Sequence, residues 1–144
     1  MEPDFVVRSP NGQILLAVEV KNRPHASPQW AAELRRNLIV NGVLPRAPYF
    51  LLALPDRFLL WKQRYGAEAV PPDYQADAEQ VLRPFTDSLR RPLSSLSSDG
   101  FNMLVGLWLD DLVHKLPEHQ ANWLAASGLG DRLRDAVVSS PRAA

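Results

Sequence analysis

The sequence predicts an α/β fold: a mixed sheet with a helical C-terminal layer. Three observations carry that reading. Two Val/Ile/Leu-rich runs flank a Pro-Asn-Gly turn between residues 5 and 22. A capped helical pattern follows and leads into a run apolar on both faces at 49–54. After about residue 78 the hydrophobic period becomes helical to the end.

Phe5–Arg8 and residues 13–22 read as antiparallel strands, because the Ser9-Pro10-Asn11-Gly12 cluster between them is a turn signal. Ser27 then suits an N-cap with Pro28 at the first helical position, and Trp30, Leu34 and Leu38 recur every four residues until Asn41-Gly42. Residues 49–54 (YFLLAL) lack a polar face, as expected of a strand covered on both sides. Pro55-Asp56 turns into Arg57–Lys62, whose terminal charges suggest an edge strand.

Residues 63–77 hold Gly, Ala and Pro71-Pro72 and read as a loop. Residues 78–91 form a helix interrupted near Pro84, and 93–98 a serine-rich connection. Asp99 is placed as the cap of an amphipathic helix bearing Phe101, Leu104, Val105, Trp108, Leu112 and Val113. Two shorter helices surround Trp123 and Leu133, and 139–144 are expected to fray. The organisation is an αβ core over 1–64 with a helical extension over 75–140, packed together as one domain.

Composition narrows the function classes. Sixteen basic and sixteen acidic side chains cancel, so bulk charge drives the chain toward neither nucleic acid nor anionic lipid. The absence of cysteine removes disulfides and thiolate metal sites. No signal-peptide pattern opens the chain and no apolar run approaches the roughly 20 residues of a membrane helix, so a cytoplasmic protein without a membrane partner is expected.

The hairpin holds an oddity in its charges. Side chains alternate along a strand, so Glu19 and Lys21 share one face and Val18 and Val20 the other. A two-residue Asn11-Gly12 turn puts Asp4 across from Glu19; a four-residue loop from Ser9 to Gly12 puts it across from Ala17, one diagonal step away. Either even loop gathers Asp4, Glu19 and Lys21. Paired carboxylates repel unless positive charge lies between them, and Lys21 with a divalent cation would supply it. A hard ion such as Mg²⁺ prefers carboxylate, carbonyl and water oxygens.

Pro3-Asp4, fourteen intervening residues with a Pro-Asn-Gly turn, then Glu19-Val20-Lys21 ending an apolar strand, resemble the PD-(D/E)XK nuclease superfamily. The helix and buried strand that follow are similar too, so the resemblance covers about the first 62 residues. It implies a restriction endonuclease-like mixed sheet. It also implies a metal-dependent endonuclease or exonuclease acting on nucleic acid, DNA by preference, with Mg²⁺ or Mn²⁺. Asp4, Glu19 and the Val20 carbonyl would hold the metal, and Lys21 would orient or help deprotonate the attacking water. A homodimer or larger assembly would provide for two strands.

One departure stands out: the family's usual helix and strand before the Asp-bearing strand are lacking, since only Met1-Glu2 precede Pro3. Either the true start lies upstream, or a partner or the C-terminal helices cover the sheet edge. Glu2 could substitute for a missing acid, although an ordinary terminal charge is the commoner explanation. A recombination-nuclease branch carries a Gln and, four residues on, a Tyr; here Gln29 is followed by Glu33. The alternative to a nuclease is a noncatalytic module of this fold that binds nucleic acid or protein.

Arg35 and Arg36 could track a phosphate backbone, against the commoner reading of a solvated helix face, and His25 could approach a scissile phosphate, against that of a surface residue. Asp110, Asp111 and His114 have ligand spacing on a polar helix face, where solvent is the better explanation. Trp61 and Trp108 are expected in the core rather than stacked on bases.

Overall fold

The computed structural model describes residues 2–87, 89–115 and 120–141. Strands β1 (Phe5–Arg8) and β2 (Ile14–Val20) form the hairpin, and helix α1 (Pro28–Val40) carries the chain to β3 (Tyr49–Ala53) and β4 (Arg57–Lys62). Strand β5 (Tyr74–Asp77) leads into α2 (Ala78–Thr86), then come α3 (Ser98–Leu112), α4 (Asn122–Ser127), α5 (Leu129–Arg132) and β6 (Val137–Ser139). Among the described residues six strands form one mixed sheet in the order β5-β4-β3-β2-β1-β6. Only β2 and β3 run parallel, as the α1 crossover requires; the other pairs are antiparallel.

Helices cover both faces, and the alternation of the central strands separates their cores. Val7, Val18, Leu51, Phe58 and Leu60 face a large cluster with Leu82, Phe101, Val105, Leu109, Leu124 and Leu133 of the C-terminal half. Ala17, Phe50, Leu52, Leu59 and Trp61 face a smaller cluster with Ala31 of α1. The larger cluster therefore joins side chains of 1–64 with side chains of the described part of 75–140.

Local signals explain the helix starts. The Ser27 hydroxyl accepts from Trp30 N at 3.0 Å, and Pro28 occupies the first turn, where a missing N–H costs nothing. Asp99 does not cap α3, as the sequence suggested. Ser97 does, accepting from Gly100 N at 3.0 Å, and Asp99 lies in the first turn, where its charge suits the helix dipole.

Four further expectations are corrected. β4 is not an edge strand, because β5 pairs along it from Arg57↔Asp77 to Leu60↔Tyr74. The stretch 63–77 is accordingly not all loop, and Asp77 ends β5 while capping α2, accepting from Glu79 N at 2.9 Å. The C-terminal half is not purely helical, and residue 139 is not frayed: β6 pairs with β1 through Val6↔Ser139 and Val7↔Val138, and Ser140 Oγ donates to the Asp4 carbonyl at 3.0 Å. It is thus a strand, neither partner nor helix, that covers the β1 edge. Residues 142–144 lie outside the described residues. No helix among the described residues is long and apolar enough to cross a membrane.

The start of β5 is held by an ion-paired clip. Asp73 accepts from Lys62 N at 2.9 Å and from Arg64 at 2.8 Å. Burial pushes its carboxyl up, but the Arg64 hydrogen bond, the Lys62 N–H and the Arg64 and Arg35 charges together hold it below its usual value. A depressed folded value means that this stabilisation is present above about pH 4, the unfolded range, and is lost as pH falls through the folded value. Urea unfolding should therefore show Asp73→Asn less stable than wild type at neutral pH, with the gap closing as pH drops below that range.

Candidate functional site

The site begins with the turn that sets the register of β1 on β2. Ser9 N donates to Gln13 O and Gly12 N to Ser9 O, each at 2.8 Å, which leaves Pro10, Asn11 and Gly12 as a three-residue loop. Gly12 has φ +91°, the left-handed region open to glycine at little cost. An odd loop alone would send Asp4 to the face opposite Glu19. The ladder, however, passes from Arg8↔Ile14 to Val7↔Leu16, so Leu15 is a one-residue bulge that restores even parity. From there Val6 faces Ala17 and Phe5 faces Val18, where the ladder ends; one more rung in the same register would set Asp4, just outside β1, across from Glu19. This is the pairing of a two-residue turn, reached by a three-residue loop and a bulge.

The Asp4 carboxylate closes the end of that ladder. Its Oδ2 accepts from Val20 N at 2.7 Å, doing for Val20 what a further β1 residue would have done. The N–H and C=O of one strand residue leave by the same edge, so the Val20 carbonyl also faces the Asp4 side. Lys21 N turns the other way and donates to Ala53 O at 3.1 Å, extending the β2–β3 ladder by one bond. By alternation Lys21 follows Glu19 on the α1 face of the sheet. Asp4 is 7% exposed and Glu19 0%, whereas Lys21 is half-buried.

Two carboxylates and a main-chain carbonyl are hard oxygen donors, a set that fits Mg²⁺ or Mn²⁺ with waters completing the shell. Among the described residues no group of three or more His, Cys, Asp or Glu is arranged to hold a metal, so any cation here would need the carbonyl and water as well as the two acids.

The structure separates the two arginines assigned to nucleic-acid contact. Arg35 is not on a solvated face: it is 1% exposed, and its guanidinium donates to the Arg64 and Glu68 carbonyls and lies 5.8 Å from the Trp61 ring centre. Burial, against partial relief from Asp73, lowers its pKa. Arg36 is exposed and donates to Asn37 Oδ1 at 3.2 Å. His25 is exposed with φ 61°, and its N–H donates to Asp56 Oδ2 at 3.2 Å, which ties the loop after β2 to the β3–β4 turn.

Elsewhere the bland readings fit the contacts. Asp110, Asp111 and His114 are exposed; Asp111 pairs with Lys115 at 3.1 Å and His114 Nδ1 lies 2.7 Å from the Asp110 carbonyl. Gln29 Nε2 donates to Glu33 at 3.4 Å on the exposed side of α1. Trp61 is buried and donates to Val70 O at 2.9 Å, and Trp108 lies in the larger core.

Sequence reading gave no site role to Arg46, Arg64, Tyr65 or Asp56. The first three surround a hollow on the α1 face, and the only local signal was an Arg-Tyr pair inside a stretch read as a loop. Asp56 anchors the His25 loop. Comparison with protein-family models, with curated proteins and with solved structures finds no match to this chain.

Proposed function

We propose that this chain is a metal-dependent nuclease of PD-(D/E)XK type that hydrolyses phosphodiester bonds in DNA. The observation that supports it is the β1–β2 register, which continued by one rung would bring Asp4 across from Glu19, with Val20 and Lys21 following where β2 ends beside its parallel neighbour. The Val20 N–H fixes Asp4 Oδ2, so one carboxylate is oriented before any ligand arrives. A divalent ion held by Asp4, Glu19 and the Val20 carbonyl would supply a Lewis acid for a phosphoryl oxygen and a more acidic water. Lys21 would keep its ammonium beside the reacting phosphate, orienting the attacking water and offsetting negative charge developing at phosphorus. Cutting both strands of a duplex calls for two such sites, in a homodimer or larger assembly, or for two visits by one.

Incubation of plasmid and single-stranded DNA with Mg²⁺ or Mn²⁺ tests this. Wild type should cleave, and Lys21→Ala should cleave roughly a hundredfold more slowly. Equal rates for the two proteins would trace the activity to a contaminant. The complete burial of Glu19 favours a second reading, a noncatalytic module of the same fold that binds nucleic acid or protein. On that reading wild type leaves both DNAs intact with either metal.

A further inference from the structure

A hollow of about 160 Å³ opens on the α1 face, where the start of β3 meets the loop after β4. Leu44 and Phe50 contribute apolar wall, and Arg35, Arg46, Arg64 and Tyr65 complete it. Of the three guanidiniums at this space Arg46 and Arg64 are exposed, and Arg35 alone is buried, so Arg35 is the one whose charge has lost its water. Asp73 offsets one of them through its hydrogen bond with Arg64. Arg35 is 1% exposed and its Nε–H is a buried donor without a hydrogen-bond partner, although its other nitrogens bond to main-chain carbonyls. Arg46 is exposed and lies over Tyr65, its guanidinium carbon 4.2 Å from the ring centre, and Tyr65 keeps 44% of its surface exposed. The rim therefore offers a flat cation and aromatic plate of the kind on which bases stack.

We propose that this hollow is a nucleotide site, taking a phosphate among Arg35, Arg46 and Arg64 and the attached base against Tyr65. Guanidinium forks match phosphate oxygens, and a buried N–H in need of an acceptor gains most from a charged one. Ala17, which also lines the hollow, precedes Glu19 by two residues on the same face of β2, about 7 Å along the strand. The site is nonetheless distinct from the Asp4 and Glu19 pair and does not depend on cleavage.

Calorimetric titration of the intact protein in EDTA, with thymidine 5′-monophosphate, thymidine and inorganic phosphate as probes, decides the matter. The nucleotide should bind at least roughly tenfold more tightly than the nucleoside. Arg46→Ala, which removes an exposed side chain, should weaken nucleotide binding by roughly tenfold. Tyr65→Ala should weaken the nucleotide while leaving inorganic phosphate unchanged, and Asp4→Asn should leave all three affinities unchanged. No nucleotide binding, equal binding of nucleoside and nucleotide, or an Arg46→Ala protein that is folded by circular dichroism and binds like wild type would overturn the proposal. Loss of cleavage in the metal assay has no bearing on these affinities, so the two readings fail separately.

Discussion

Asp4→Asn is expected to slow Mg²⁺-dependent DNA cleavage by at least roughly a hundredfold while changing stability by no more than about 1 kcal/mol. The two effects part because Asp4 has two tasks. One is structural: its Oδ2 accepts the Val20 N–H at 2.7 Å where the β1 ladder stops, and an asparagine carbonyl can accept the same bond. The other belongs to the proposed metal site: only the carboxylate would bring the negative charge that a divalent ion needs beside Glu19. Asp4→Ala removes both and should cost about 1–2 kcal/mol in addition to activity. Plasmid nicking rates and urea unfolding of wild type and both variants measure the separation. An asparagine variant that cuts at the wild-type rate would leave Asp4 as a ladder cap alone.

Phe58→Ala is expected to cost about 4 kcal/mol, a large share of the 5–15 kcal/mol typical of a domain. Phe58 is 0% exposed on β4 and meets the edge of Trp108 from α3, with ring centres 5.2 Å apart and planes at 74°. Trp108 in turn stacks on Trp123 of α4 at 6.0 Å. Truncation therefore opens a cavity at the contact that joins the sheet to two C-terminal helices, and forfeits an edge-to-face pair worth about 1 kcal/mol beyond its buried area. A lower urea midpoint with an unchanged denaturant slope would show this as a loss of stability. A cost below about 1 kcal/mol would mean that the site collapses around the gap and that other contacts dock the helices.

The legible elements were those whose signal is local. The hairpin, α1, β3 and β4 each combine a clear period with a cap or turn of their own. β5 (YQAD) and β6 (VVS) are short, half-exposed and polar or isolated, and only the open edges of β4 and β1 make them strands. Arg35 looked solvated because arginine nearly always is. Its burial rests on carbonyls 29 and 33 residues away, which no local pattern records. The pairing of β1 with β2 that brings Asp4 to the Val20 N–H was readable because strand parity needs only counting, yet the loop was odd. The bulge that corrected it lies in an unbroken apolar run, ILLAV, where an extra residue leaves no trace. The Arg-rich hollow was invisible since its members come from α1, the loop before β3 and the loop after β4.

The pairing of β6 with β1 also bears on the order in which this chain folds. Arg8 and Ser139, bonded side chain to side chain, are 131 residues apart, whereas β1 and β2 meet across a three-residue loop. The hairpin can therefore form early and cheaply, but its outer edge stays open until nearly all the intervening chain has found its place. Throughout that interval β1 offers unpaired main-chain groups to any neighbouring molecule, a route to misassembly that closes only with the last rungs. Slow closure of this edge, rather than collapse of the core, is where refolding yield should be most sensitive to protein concentration.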